Sequence, residues 1–215
     1  MPGFPSAAEH ALLAGLVAAL RDELPAGAPP LHGFLTSALG APLPLHVSLS
    51  RPFALRTEQR DGFAAHLTTA VGAACAAPFV LAPYALGVHR SPDSGRVFVV
   101  LRVADPGPGP EPANPQLGAL LGACNAVVAA AGGPELYAGR GAAAEAAAFH
   151  VSVAWAFAPS VEALEGAVGS VYARPEYGEG VRALRIEAAS VKVKIGNAVS
   201  SIPLKQGRRE ERGLF

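Results

Sequence analysis

The sequence predicts an α+β fold of two similar lobes, each an antiparallel sheet with helices on its outer face. Three observations carry that expectation. The order strand, helix, hairpin runs through 43–103 and again through 148–204. The two leading strands, Leu45-His46-Val47-Ser48-Leu49 and Phe149-His150-Val151-Ser152-Val153, resemble each other. Between the halves, 105–113 is a proline and glycine stretch suited to crossing between lobes. On this reading 1–215 is a single bilobal domain, its lobes related by a pseudo-two-fold axis with a groove between them.

The elements follow in order. Leu12, Leu13, Leu16, Val17, Leu20 and Leu24 recur at helical spacing over 6–24. Ser6 and Glu9 have the spacing of a capping box, and the prolines of 25–30 end that helix. A short extended segment covers 33–37, and 43–53 reads as a buried strand. Thr57 caps a second helix over 58–76, with Phe63, Leu67, Ala70 and Val71 inward. Strands at 79–88 and 96–103 form a hairpin around Ser91-Pro92-Asp93-Ser94-Gly95, whose residues suit a turn.

Asn114 caps a third helix with Pro115 at its first position. Leu117, Leu120, Leu121, Cys124, Val127 and Val128 make its apolar stripe, and Gly132 and Gly133 stop it. Residues 139–148 read as a loop with room for one helical turn over 142–148. A strand covers 148–157, and Ser160 caps a fourth helix through Tyr172. Segments 184–195 and 198–204 form a final hairpin around Gly196-Asn197. The tail 206–215 is polar and frayed. Its Arg208, Arg209 and Arg212 are interrupted by Glu210 and Glu211, which favours a solvated tail over a nuclear import signal.

Composition narrows the function. A chain of 215 residues that is 51% hydrophobic buries a sizeable core. Seventeen basic and seventeen acidic residues cancel, which excludes a globally basic nucleic-acid coat and an acidic disordered chain. A local basic patch is still allowed. No apolar run reaches about 18 residues, so no transmembrane helix is expected. The apolar stretch 11–20 follows Glu9 rather than a basic residue, against a signal peptide. Cys75 and Cys124 fall in helix-like segments and read as reduced core residues of a cytosolic or nuclear protein.

The repeated tripeptide carries the chemistry. Side chains alternate across a strand, so His46 shares a face with Ser48, and His150 with Ser152. Val47, Leu49, Val151 and Val153 mark the opposite, core face. If the two strands meet, two imidazoles and two hydroxyls converge. Such a point suits a phosphodiester. The hydroxyls donate to the non-bridging oxygens, one neutral imidazole accepts a proton from an attacking hydroxyl, and one imidazolium donates to the leaving oxygen. No His or Cys pair in the sequence has metal-ligand spacing.

At these residues the sequence resembles the 2H phosphoesterase superfamily, defined by two His-x-Ser/Thr motifs in a bilobal fold. Within it, the sequence is similar to the U6 spliceosomal RNA 3′-end phosphodiesterase family. Leu45-His46-Val47-Ser48-Leu49-Ser50 with Leu55-Arg56 forms the first block, and Phe149-His150-Val151-Ser152-Val153-Ala154-Trp155 the second. Val193-Lys194-Ile195-Gly196-Asn197 with Ile202-Pro203-Leu204-Lys205 is the third, which separates this family from other 2H enzymes. The resemblance covers roughly residues 31–205.

It implies a 2H phosphoesterase-like fold and a 3′–5′ exoribonuclease with no metal or other cofactor. Such an enzyme trims uridines or adenosines from a single-stranded RNA 3′ end and leaves a 2′,3′-cyclic phosphate or a 3′-phosphate. It also implies His46 and His150 as the catalytic pair, His150 the base and His46 the acid, with Ser48 and Ser152 holding the phosphate. A nuclear, monomeric protein without membrane contact goes with that reading. The family places a base-stacking aromatic shortly before the second motif, where this chain has alanines. Tyr137 is the nearest candidate if 139–146 loops out; the alternative is a tyrosine packed at a helix end.

Other residues point less clearly. Lys192 and Lys194 alternate on one strand face and either contact phosphate or face solvent, as do Arg51, Arg56 and Arg96. His66 and His89 read as surface residues, His10 and His32 carry no signal, and Trp155 reads as core packing. Two other readings stay open: a 2H enzyme acting on small cyclic phosphates or 2′-5′ linkages, and a catalytically silent RNA-binding module.

Overall fold

A computed structural model describes residues 2–74, 77–91, 94–107, 112–157 and 161–205. In chain order the elements begin β1 (Pro2–Gly3), α1 (Ala7–Glu23), β2 (His32–Gly33), β3 (Leu45–His46), a 3-10 turn (Thr57–Gln59) and α2 (Arg60–Ala73). Then come β4 (Phe79–Arg90), β5 (Arg96–Ala104), α3 (Pro115–Ala130), α4 (Ala142–Ala146) and β6 (His150–Phe157). The last are α5 (Glu162–Tyr172), α6 (Pro175–Ala183), β7 (Ile186–Ala188), β8 (Ser190–Ile195) and β9 (Ala198–Pro203). Helices and antiparallel sheets mix, as the α+β expectation requires.

Contacts divide the chain into two units made of alternating segments. The first holds Met1–Ser48, Val80–Ala113 and Arg140–Ile186; the second holds Leu49–Phe79, Asn114–Gly139 and Glu187–Phe215. Of the stretch 105–113, residues 108–111 lie outside the described residues; at its ends the Asp105 amide donates to the Ala113 carbonyl at 2.9 Å. The sequence reading gave each His-x-Ser motif its own lobe. In the structure both motif segments belong to the first unit, because their strands touch.

The first unit is built on β2, β6, β5 and β4, in that order, of a five-stranded sheet. Val97, Val99, Leu101 and Val103 of β5 and Val151 and Val153 of β6 are buried on one face. Helix α1 packs against α5, α6 and β6 with Leu13, Leu16, Val17 and Leu20. Leu16 and Leu20 are fully buried, and truncating either to Ala costs about 2–5 kcal/mol. The capping box is as expected: the Ser6 amide donates to Glu9 Oε2 at 2.8 Å, and the Glu9 amide donates to Ser6 Oγ at 3.3 Å. Helix α6 approaches α1 closely. A Cβ on Gly180 would stand 2.8 Å from Leu12 Cδ1, so a larger residue there would have to displace the end of that leucine.

The second unit packs α2 on α3 and on β8. Phe63, Leu67 and Val71 meet the stripe of Leu117, Leu120, Leu121, Cys124 and Val128, all buried as the spacing predicts. Val127 is only half-buried. Strands β8 and β9 form the terminal hairpin, and Gly196 takes φ +60 at the first central position of its two-residue turn.

Four elements differ from expectation for physical reasons. The strand expected over 43–53 is reduced to Leu45–His46 plus a bridge at Val47, because Pro42, Pro44 and Pro52 offer no ladder donor. Thr57 opens a 3-10 turn rather than capping α2, and the Gln59 side chain accepts from the Arg56 amide at 3.0 Å. The segment 184–195 breaks at Ala189 into β7, in the five-stranded sheet, and β8, which pairs with β9. Helix α6 was not expected, since Gly178 and Gly180 lower its helical propensity. The tip of the first hairpin at Pro92-Asp93, Cys75, the Ser160 cap and the tail 206–215 lie outside the described residues.

Candidate active site

Both His-x-Ser segments behave as period-two alternation predicts. Val47 and Val151 are buried at 5% and 2% exposure, while His46 and Ser48 are exposed and His150 and Ser152 are half-buried. Val47 and Val151 form an antiparallel bridge. That register sets His46 across from Ser152 and Ser48 across from His150, at about the 4.5–5.5 Å Cβ spacing of opposed residues. The two histidines and two serines therefore share one face of the paired strands.

The two imidazoles have unlike surroundings. His150 stands on β6, between β2 and β5. Its Nδ1 donates to the Ala148 carbonyl at 2.8 Å. That bond fixes the proton on Nδ1 and leaves the Nε2 lone pair free. Burial pushes the His150 pKa down to about 4; the Ala148 carbonyl opposes this, and the charges of His89, Arg102 and His46 add to it. His46 sits on the two-residue β3 beside β1, and desolvation holds it below the ordinary histidine value.

Residues that the sequence did not single out complete the site. The His89 ring lies 4.8 Å from the His150 ring at 37°. Burial lowers its pKa, with Arg102 and Arg140 contributing. Arg102 is paired with His150 in the β5–β6 register. His89 was read as a surface residue at a turn. No spacing in the sequence relates it to residue 150; only the order of strands in the sheet does.

Trp155 is also corrected. It stands half-buried on the same open face as His150 and Ser152, stacked on His32 with ring centroids 4.5 Å apart. Tyr137 belongs to the second unit, half-buried, with its backbone at φ +60. Lys192 and Lys194 alternate outward on β8 of that unit, and Lys192 Nζ donates to Ser201 Oγ at 2.8 Å. Cys124 is buried and its thiol is pushed up to about 11 by that burial, which leaves it protonated and inert. Among the described residues no three side chains of His, Cys, Asp or Glu gather where they could hold a metal ion.

Residues 1–203 match the HVSL family, described as "Uncharacterised conserved protein". The chain belongs to the HVSL family. Its first motif, His46-Val47-Ser48-Leu49, spells those four letters. The chain is 33% identical over 232 residues to "U6 snRNA phosphodiesterase 1" of Neurospora crassa. The alignment takes in 93% of this chain and 61% of that relative, so this chain spans about three-fifths of its length. The fold is that of Kluyveromyces marxianus Usb1, with a TM-score of 0.68 at 17% identity over 95% of both chains. A second structure, of the same protein with uridine monophosphate, superposes with a TM-score of 0.69 at 16% identity over 95% of both chains.

Proposed function

We propose that this HVSL protein is a 3′–5′ exoribonuclease that trims the oligouridine 3′ end of U6 spliceosomal RNA without a metal ion. The observation that carries the reading is the Val47–Val151 bridge, which gathers His46, Ser48, His150 and Ser152 on one face. The similarity to a curated U6 snRNA phosphodiesterase supports the substrate, and with it a nuclear location. A single-stranded RNA end, taken by a monomer, is the partner.

The geometry supports a division of labour. His150, held neutral by burial and with Nε2 free, takes the proton of the penultimate ribose 2′-hydroxyl. That oxygen forms a bond to phosphorus and the bond to the 5′-oxygen of the last nucleotide breaks. His46 gives its proton to the departing oxygen. The penultimate nucleotide is left with a 2′,3′-cyclic phosphate, which water opens to a 3′-phosphate when the two histidines exchange roles. Ser48 and Ser152 donate to the non-bridging oxygens. The neighbouring 2′-hydroxyl is already held at the phosphorus, and such proximity is worth several orders of magnitude.

The test is product analysis on 3′-labelled and 5′-labelled oligouridine with and without a chelator. The expected result is stepwise loss from the 3′ end at the same rate in both. A rate abolished by the chelator and restored by a divalent metal, or fast internal cleavage of a circular RNA, would contradict the reading.

A further inference from the structure

Strand β6 does not alternate evenly. Val99 of β5 pairs with Ala154, but Val100 pairs with Ser152, so β6 holds one extra residue at this point. Val153 and Ala154 are both fully buried as a result. The bulge shifts the phase of everything after it. With even alternation Trp155 and Phe157 would join Val151 and Val153 in the core. Instead they continue the open face that begins with His150 and Ser152.

The neighbouring strands extend this face with flat groups. His32 of β2 is paired with Trp155 and stacks on it at 4.5 Å and 26°. The Arg96 guanidinium lies 4.7 Å from the Trp155 ring centre and 5.6 Å from that of Phe157, which is itself 56% exposed. Phe98, paired with Trp155 in β5, stacks with Phe34 at 6.1 Å. A chain that leaves tryptophan, phenylalanine and arginine together on an open sheet face has a surface to explain.

Charge says what fits it. The chain as a whole carries no net charge. Yet β2, β4, β5 and β6 contain no Asp or Glu, and their open face carries Arg96 and Arg102 with His32, His89 and His150. Rings interleaved with guanidinium groups, without carboxylates, match the two components of a single-stranded nucleic acid: a π-faced base and an anionic backbone.

We infer that the face beyond the bulge is a stacking track for the RNA upstream of the cleaved bond, with bases on Trp155 and Phe157 and a backbone phosphate on Arg96. The inference rests on the exoribonuclease reading. An enzyme that removes the last nucleotide has only that nucleotide on one side of the scissile phosphate. Trp155 lies five residues from His150 along β6, at roughly 3.3 Å per residue. A surface that far from the site is served by the rest of the chain, a few nucleotides upstream. The bulge puts reaction centre and track on one strand face.

Trp155 is the only tryptophan in the chain, so intrinsic fluorescence reports on the track alone. Diuridine and octauridine are titrated into the His46→Ala variant, whose expected slow turnover leaves them intact over the titration. Octauridine is expected to quench the emission and diuridine is not. In the active protein, Trp155→Leu is expected to lower the ratio of octauridine to diuridine kcat/KM about tenfold, the worth of one base stack. Arg96→Gln, which removes the guanidinium from the Trp155 and Phe157 rings but leaves both rings in place, is expected to lower the same ratio. Wild-type protein that cleaves diuridine and octauridine equally well, with emission unmoved by either, overturns the track and leaves the exoribonuclease reading intact. Protein that cleaves neither removes that reading and the track with it.

Discussion

The same tripeptide occurs twice in this chain and is housed in two different ways. His46 and Ser48 sit on a two-residue strand beside β1, between prolines, with both side chains exposed. His150 and Ser152 sit on an eight-residue strand flanked by β2 and β5. Burial there pushes His150 down to about 4, whereas His46 is lowered without reaching so far. The His-x-Ser on the long strand has its imidazole held neutral by burial; the imidazole of its copy on the short strand has its pKa lowered as well. The position in the sheet, not the motif, makes the surroundings of the two imidazoles unlike.

The sharpest way to break this comparison is to remove the attacking group that the proposed mechanism assigns to His150. A 2′-deoxy sugar at the penultimate nucleotide is expected to abolish removal of the last one, read by gel on 5′-labelled substrate. Ordinary cleavage leaving a 3′-hydroxyl would mean that the histidines serve another reaction. Next in size, His46→Ala and His150→Ala are each expected to cost about 10²–10⁴-fold in single-turnover rate, with the circular dichroism spectrum unchanged. Near-normal trimming by either variant would remove the acid–base pair.

Replacing the proposed phosphate donors is expected to have a smaller effect. Ser48→Ala or Ser152→Ala is expected to slow trimming roughly tenfold to a hundredfold, the range of one hydrogen bond to a charged group at about 1.5–3 kcal/mol. Equal losses from the two would fit a phosphate held from both strands. The pH profile resolves the smallest difference. Activity is lost as pH falls through about 4, where His150 gains a proton and can no longer accept one. It is lost again as pH rises through the pKa of His46, which lies below the ordinary 6.5, because the acid is then deprotonated. The maximum of kcat/KM is therefore expected on the acid side of 6.5, with NMR titration assigning the lower limb to His150. An alkaline optimum would reverse the comparison.

Much of this was legible in the sequence, and what was not has identifiable causes. The four motif residues, the capping box at Ser6 and Glu9 and the α3 stripe are short-range patterns, set by the 2.0 and 3.6 periodicities. Trp155 was misplaced because a one-residue bulge reverses alternation, and Val153-Ala154 carries no glycine to mark it. His89 and Arg102 were overlooked because only strand order in the sheet brings them to His150. The strand at 43–53 was overextended by hydrophobicity that three prolines overrule.

The alternation of segments between the two units bears on how the chain can be made. Each unit collects three stretches that are distant in sequence, and the first is finished only by Arg140–Ile186. Nothing resembling an autonomous half leaves the ribosome early. A fragment ending near residue 113 lacks β6, the strand that joins β2 to β5, so it would emerge with unpaired strand edges. Pairings this distant close slowly, because loop entropy is lost before the contacts form. The protein is thus poorly suited to dissection: neither unit comes free with a single cut, and the two histidines reach their strands only in a chain synthesised well past the second one.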